Sequence, residues 1–509
     1  MIKFTSVTLT LTILALSLTT ATAKATLFPN GAQFGWALRD AATDSLLGSR
    51  NSDRNFTPAS TQKLFTTWIA LDLMGGDKTF ATQLQRTGTL QGDKLVGDLV
   101  IKGGGNPAFA DGQMASSQSS DSIFATWLIA LRKFGVKKIE GCIVGDGSYL
   151  VEEGPHPSML WEDAGNYYGA SVSGLSFNGN IFLANFSGAA APAKQVTLTG
   201  TLPVHVGIAH FNNHLLTGPV ESRDSAFFIG GFPSSIRELR GTYPSGHPLF
   251  SIKGSLPNPA WTCAREFQDY LVAHGFEITS SFSTCGDSLA MPNLNRKTTT
   301  ITTKNSATAT GTATATGTAT ATSTSTTAVT IAEHHSPPLR DLIRYTNQKS
   351  DNMYAATLLA LIGKQNGRLG DYHGGLSVVN EYLNRKGFQR DEIHLKDGNG
   401  LSRSNWISPN QTTHLLAYAS KQKGFVDFRA SLLGSPGLPG KLERYGEGWE
   451  GRLWVKTGTL EGVSALAGYL KAKSGRLLAF AMTVNNFDGK ASEMQQNFGV
   501  LLREWASKY

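Results

Sequence analysis

Apolar residues at helical spacing stand out first around Leu64, Phe65, Trp68, Ile69, Leu71 and Leu73. Pro58-Ala59 leads into this run and Gly75-Gly76 ends it, which predicts one helix with a core-facing stripe. Upstream, the pattern reads strand, turn, strand. Beyond about residue 85 it changes: strand-like pieces at Leu95 to Ile101 and Lys138 to Val144 alternate with turns and one helix, Asp121 to Phe134. Gly103-Gly104-Gly105 reads as a tight turn. Segment 187–256 mixes β-branched residues with glycine and proline and predicts short strands. Pro259 to His274 is helical in pattern. Helices are expected again at Leu339 to Tyr345 and from about Asn352 to Ile362. Near the end, Leu453-Trp454-Val455, Ser464 to Leu470 and Leu477 to Val484 read as strands, with Lys473-Ser474-Gly475 as the second turn.

Two stretches fall outside this globular pattern. Lys3 precedes an apolar run, Val7 to Leu18, which ends in Ala21-Thr22-Ala23. That is the layout of a secretory signal peptide, and its apolar core is short for a membrane span. The second stretch, Lys297 to Thr330, holds a hexad repeat at Ala307 to Thr312, Ala313 to Thr318 and Ala319 to Thr324. Threonine, alanine and glycine without bulky residues cannot bury a core, so a disordered insertion is expected there.

At 509 residues the chain exceeds a single core, and two or three domains are expected. The expected division is a signal peptide at 1–25, a first domain in two parts at 26–85 and 331–509, a second in two parts at 86–186 and 257–296, a nested β-rich unit at 187–256, and the low-complexity tract at 297–330. The net charge of +8 is spread along the chain with no basic, aromatic-interleaved element, which argues against nucleic-acid binding. The eleven histidines form no HExxH, and the triple glycine is not followed by Lys-Ser/Thr, so neither a zinc-peptidase motif nor a phosphate loop is present. No metal or other cofactor is expected. Of the three cysteines, Cys142, Cys263 and Cys285, the last two are the candidate disulfide in an exported protein.

The chemistry sits in three short segments: Ser60-Thr61-Gln62-Lys63, Ser350-Asp351-Asn352 and Lys456-Thr457-Gly458-Thr459. A serine hydroxyl is a poor nucleophile at neutral pH and needs a base beside it. A lysine three residues later on a helix shares its face. Lys63 can serve only if its pKa is depressed, by loss of water or by a second cation such as Lys456. Each motif alone is weak: Ser420-Lys421-Gln422-Lys423 is a second SxxK, and SxN triplets also begin at Ser49, Ser176 and Ser408. Their joint occurrence in this order carries the signal.

With these three motifs, the chain closely resembles the D-Ala-D-Ala carboxypeptidase/endopeptidase family of class C low-molecular-weight penicillin-binding proteins. Further stretches carry the resemblance: Gly97-Asp98-Leu99, Gly103-Gly104-Gly105-Asn106-Pro107, Trp161-Glu162-Asp163, Tyr168-Gly169-Ala170, and Asp397-Gly398-Asn399-Gly400-Leu401-Ser402-Arg403. The resemblance implies an α/β transpeptidase- or β-lactamase-like domain, an antiparallel sheet flanked by helices, carrying a large two-part nested insertion. That would account for the 290 residues from Ser60 to Ser350, against 106 from Ser350 to Lys456. It also implies roles. Ser60 would form an acyl-enzyme with Lys63 as base. Ser350 would relay a proton to the leaving amine, and Asn352 would hold substrate amide and Lys63. Lys456 and Thr457 would take the terminal carboxylate, with Gly458 and Thr459 completing the strand edge and the N–H groups of Ser60 and Thr459 forming the oxyanion hole. Asp163 and Tyr168 would recognise the diamino acid of a peptidoglycan stem, unless Asp163 only caps its loop. Arg403 would contact a carboxylate or brace the Asp397 turn. Peptidoglycan stem peptides are the implied substrates, β-lactams the covalent inhibitors, and the periplasm the location, with no transmembrane anchor in the mature protein.

Three features depart from the family pattern: Ala355-Ala356 after Tyr354, Gly440-Lys441-Leu442 upstream of KTG, and the threonine-rich tract. A serine β-lactamase is the alternative enzyme, and a non-catalytic peptidoglycan-binding protein the alternative class.

Overall fold

The computed structural model describes residues 28–151, 154, 156–232, 234–279, 328–434 and 442–509. The expected signal peptide, residues 297–327 of the threonine-rich tract, Cys285, Gly440 and Lys441 lie outside them; the last two residues of the tract, Val329 and Thr330, already belong to a strand and pair with Arg86 and Gln85. An antiparallel five-stranded sheet joins both ends of the chain. Its strands are β1 (Gln33–Asp40), β2 (Leu46–Arg50), β3 (Leu453–Leu460), β4 (Val463–Lys471) and β5 (Leu477–Asn485), in the order β2-β1-β5-β4-β3. Side chains alternate across it, as the twofold period of a strand requires. On β5, Ala479 and Ala481 face one core while Leu478, Phe480, Met482 and Val484 face another.

The first core is helical. It packs α1 (Lys63–Met74), α2 (Leu339–Lys349), α3 (Asn352–Gln365), α4 (Tyr372–Arg385), α5 (Pro409–Ser420) and α6 (Phe425–Ala430) against the sheet. Almost every residue of α3 is buried, so its hydrophobicity runs all round rather than in a stripe. The second core lies under α7 (Ala491–Lys508), where Phe498, Leu502 and Trp505 cover Leu466, Leu470 and Phe480. Among the described residues no helix is long and apolar enough to cross a membrane.

Between α1 and α2 the chain leaves and returns along paired strands, Ala81–Arg86 and Val329–His335, which sit side by side in a four-stranded sheet. Helices Ser120–Lys133 and Pro259–Ala273 close over this region around Phe124, Trp127, Phe177 and Phe267. A further cluster, centred on Phe182, Phe186, Phe228 and Phe250, joins strands Ile181–Ser187, Thr197–Leu202 and Leu249–Ser255. The first of these strands starts at Ile181, six residues before the expected onset of the β-rich segment, because Phe182, Ala184 and Phe186 already alternate inward.

The cysteines correct the sequence reading. Cys142 is the disulfide-bonded residue, whereas Cys263 is a free thiol. Cys263 lies on the core face of its helix, fully buried with Phe267, one turn away on the same face.

Candidate active site

Ser60 does not sit on the α-helix itself. It belongs to a 3₁₀ turn, Ala59–Gln62, that runs directly into α1 at Lys63. In a 3₁₀ turn residues i and i+3 eclipse, so this departure from the expected geometry brings Lys63 under Ser60 more directly than an α-turn would. The turn is entered through Ala59 at φ +47°, a left-handed conformation that costs a residue with a Cβ. Close backbone packing holds it there. A Cβ on Gly400 would lie 2.1 Å from the Ala59 carbonyl oxygen, and one on Gly458 would lie 2.7 Å from that of Pro58. Both positions require glycine.

Lys63 is fully buried, and its Nζ meets three oxygens: Ser60 Oγ at 2.9 Å, Asn352 Oδ1 at 2.6 Å and the Asn399 carbonyl at 2.6 Å. Burial pushes its pKa down to about 7 from 10.5, while the Asp397 and Asp351 carboxylates pull it upward. Of the two causes offered from the sequence, loss of water is the one at work, and Lys456 is engaged elsewhere: its Nζ donates to Ser350 Oγ at 2.9 Å and to the Thr457 carbonyl at 2.8 Å. Burial is what depresses Lys63.

The three oxygens differ in kind. Asn352 Oδ1 and the Asn399 carbonyl can only accept, whereas the Ser60 hydroxyl can accept or donate. A neutral Lys63 has two N–H bonds and one lone pair. The two obligate acceptors take the N–H bonds, and the lone pair faces the Ser60 hydroxyl. The orientation of Asn352 is fixed from its other end, where Nδ2 donates to the Tyr168 carbonyl at 2.9 Å.

The SDN segment is a helix junction. Ser350 caps the C-terminus of α2 in the left-handed region (φ 59°, ψ 36°), and Asp351 caps the N-terminus of α3 by accepting from Tyr354 N–H at 2.9 Å. That sharp reversal aims Ser350 at Lys456 and Asn352 at Lys63. Burial pushes Asp351 up to about 6. Tyr354 continues the support, donating its hydroxyl to Asp111 at 2.7 Å.

The Asn399 carbonyl is set by a turn built on Asp397. Its buried carboxylate accepts from the N–H groups of Asn399 (3.1 Å), Gly400 (2.7 Å) and Ser402 (2.8 Å), from Asn405 Nδ2 (3.1 Å) and from Gln62 Nε2 (3.1 Å). Gln62 Nε2 also donates to the Asp397 carbonyl. Thr66, one turn into α1, donates to the Gly398 carbonyl at 2.6 Å. Asn399 was not among the residues read from the sequence as functional, because its contribution is a backbone oxygen. The only signal was the Asp397–Arg403 run as a whole.

Thr457, Gly458 and Thr459 lie on β3, the edge strand, paired with Leu466, Ala465 and Ser464 of β4. Asp163 and Tyr168 lie on two successive 3₁₀ turns, Trp161–Asp163 and Tyr167–Gly169, and their side chains hydrogen-bond to each other. Burial raises the Asp163 carboxyl, with Glu162 adding to it and Tyr168 and Arg403 opposing; the Tyr168 hydroxyl goes up to about 12. Arg403 does not brace the Asp397 turn. It is exposed, and its guanidinium donates to the Glu461 carbonyl at 3.0 Å in the β3–β4 turn.

Residues 17–288 and 284–505 match the model of the D-Ala-D-Ala carboxypeptidase 3 (S13) family. The chain belongs to this S13 family. It is thereby a serine-type D-Ala-D-Ala peptidase. Among its relatives is the D-alanyl-D-alanine carboxypeptidase of Actinomadura sp. (strain R39), 26% identical over 94% of this chain and 82% of the relative. Another is the D-alanyl-D-alanine carboxypeptidase DacB of Haemophilus influenzae, 22% identical over 90% and 86%. The fold matches the crystal structure of penicillin binding protein 4 (dacB) from Haemophilus influenzae with a TM-score of 0.72, at 20% identity, across 94% of this chain and 97% of that one. The S13 fold therefore extends over the insertion as well as the sheet and its helices.

Proposed function

We propose that this S13 peptidase cleaves the D-Ala–D-Ala or D-Ala–diamino acid bond of peptidoglycan stems through an ester on Ser60. The observation that carries this reading is the trio of oxygens around Lys63, which leaves its lone pair for the Ser60 proton. The Ser60 oxygen attacks the penultimate D-Ala carbonyl as its proton passes to Lys63. The N–H groups of Ser60 and Thr459 stabilise the oxyanion. Lys456 donates to Ser350 Oγ, so the Ser350 hydroxyl hydrogen is free to reach the leaving amine. Lys456 and Thr457 hold the terminal carboxylate. The proton that Lys63 took from Ser60 replaces the one that Ser350 gave to the amine, so Lys63 is neutral again. Water then attacks the ester as Lys63 takes a water proton, and Lys63 passes that proton to the Ser60 oxygen as it leaves. A β-lactam enters by the same attack and stays as a slow ester.

Asp163 and Tyr168 would take the free ammonium of the stem diamino acid. The Val7 to Leu18 run supports export and action in the periplasm. The test is a digest of defined muropeptides read by liquid chromatography and mass spectrometry. Cleavage by the wild type and none by Ser60→Ala is expected. Shortened monomers would indicate carboxypeptidase action and dimers falling to monomers endopeptidase action. No cleavage by folded wild-type protein would sink the reading. Acetylating the diamino acid amine should raise KM; an unchanged KM removes Asp163 from recognition.

A further inference from the structure

Asn166 lies between the two short turns that carry Asp163 and Tyr168, and it is the N-cap residue of the second. An asparagine in that place commonly caps its own turn with its side chain. This one does not. Its carboxamide reaches the inserted strand Phe227–Ile229 instead. There Oδ1 accepts from the Phe228 N–H at 2.9 Å, and Nδ2 donates to the Phe228 carbonyl at 3.1 Å. Phe227–Ile229 is the edge of a three-stranded sheet, so the carboxamide takes both main-chain groups as a neighbouring strand would. Nδ2 also donates back to the Glu162 carbonyl at 2.7 Å. Both amide hydrogens and the oxygen of this buried side chain are thereby used.

A second tie comes from the inserted strand Leu249–Ser255. Ser255 Oγ donates to the Ala164 carbonyl at 2.9 Å, and the Ser255 N–H to the Gly165 carbonyl at 3.0 Å. Bonds inside the loop are local: Asn166 N–H donates to the Asp163 carbonyl at 3.1 Å, and Gly169 N–H to the Asn166 carbonyl at 3.0 Å. The local pair sets how the loop bends, whereas Phe228 and Ser255 set where it stands. Tyr168 then meets the site twice. Its side chain bonds Asp163, and its carbonyl accepts from Asn352 Nδ2.

We propose that Asn166 and Ser255 are positioning residues for amine recognition. They pin the Asp163–Tyr168 pair to the inserted strands, so strands that contribute no reacting group set the preference for a stem with a free side-chain ammonium. The proposal rests on Asp163 and Tyr168 recognising that ammonium.

The test is a ratio. Two peptides ending in D-Ala-D-Ala are compared, one carrying a diamino acid with its side-chain amine free and one with that amine acetylated. D-Ala release gives kcat/KM for each. A loss common to both, from partial unfolding or from a shift of Asn352, cancels in the ratio, which a merely structural role would leave alone. Saturating penicillin counts the folded sites in each variant. Wild type should prefer the free amine by about tenfold or more, the scale of one hydrogen bond to a charged group. Asp163→Asn should bring the ratio near one. Asn166→Ala should also lower it roughly tenfold, because the Phe228 and Glu162 groups lose their partner and the loop loses its place. Ser255→Ala keeps its backbone bond and should lower the ratio roughly threefold, the scale of one neutral hydrogen bond. A wild-type ratio in Asn166→Ala, with Asp163→Asn near one, would overturn the positioning role and leave recognition by Asp163 standing. A ratio near one in the wild type, or an undiminished ratio in Asp163→Asn, would remove the recognition itself and the proposal with it. If Asn166→Ala yields no folded protein, Ser255→Ala decides, and an unchanged ratio there overturns the proposal.

Discussion

Two Ser-x-x-Lys segments in this chain show what turns a spacing into a site. At Ser60 the serine lies in a 3₁₀ turn that opens a buried helix, and Lys63 is sealed beneath it with two obligate acceptors. At Ser420 the same spacing straddles a helix end. Ser420 is the last residue of α5, and its hydroxyl donates to the Ala41 and Ala417 carbonyls, both at 2.8 Å. Lys423 falls beyond the helix and is exposed. One lysine has lost its water and with it much of its affinity for a proton. The other keeps its water. Spacing brings two side chains together only where the backbone continues in one register, and a lysine becomes a base only where the surroundings disfavour its charge.

The largest contrast should appear on removing the two serines. Ser60→Ala should abolish covalent labelling by a penicillin and cut D-Ala release by on the order of 10⁶-fold, as loss of a nucleophilic serine does elsewhere. Ser420→Ala should leave both within roughly twofold, as for a substitution remote from the chemistry. Labelling that survives Ser60→Ala, or fails in Ser420→Ala, would break the comparison.

Exchanging the two lysines comes next. Arginine cannot give up its proton in a protein. Lys63→Arg should lower acylation by about 10²- to 10⁴-fold, the range for general-base catalysis, and Lys423→Arg should change nothing. In the wild type, acylation should rise with pH through about 7, because the reactive form of Lys63 is the neutral one and that is where it loses its proton. A flat profile from pH 6 to 8, flanking the neutral range at about one unit either side, would contradict the assignment.

The smallest contrast is in stability, and its sign is opposite. Unfolded, Lys63 has its ordinary pKa of 10.5; folded, about 7. Between those values the unfolded chain holds more protons, so the contribution of Lys63 to stability improves as pH rises from about 7 to 10.5. Below about 7 the full cost is present, roughly 5 kcal/mol. Lys63→Met should therefore raise Tm at pH 6, below that threshold, while eliminating activity. The gain will be less than the full cost, because Asn352 Oδ1 and the Asn399 carbonyl lose their donor. Lys423→Met should move Tm little. A lower Tm in Lys63→Met would show that its hydrogen bonds outweigh its desolvation.

Much of this was legible before any coordinates. Ser60, Lys63, Ser350, Asn352 and Lys456 announce themselves because side-chain chemistry at a fixed interval survives in sequence. The helices at Asn352 and Pro259 were legible because Asp351 and Asn258 cap them and apolar residues follow. What could not be read was backbone geometry: the left-handed Ala59 and Ser350, and the Asn399 carbonyl, carry no residue signature. Cys263 was misassigned because a cysteine on the core face of a helix looks, in one dimension, like any other cysteine. Loss of water and the Lys456 cation stayed open as causes of the Lys63 shift because the sequence shows which charges exist but not which oxygen each one meets.

The strand order has a consequence for when this enzyme can work. Ser60 follows β1 and β2 near the start of the chain, yet β1 is held by β5, and the backbone of β3 presses on the serine turn through Gly458. A nascent chain thus carries its serine and lysine through most of synthesis with nothing to make them reactive. The sheet closes only after residue 485 is available. A chain that ends before residue 477 lacks the strand that holds β1 in the sheet behind the serine turn.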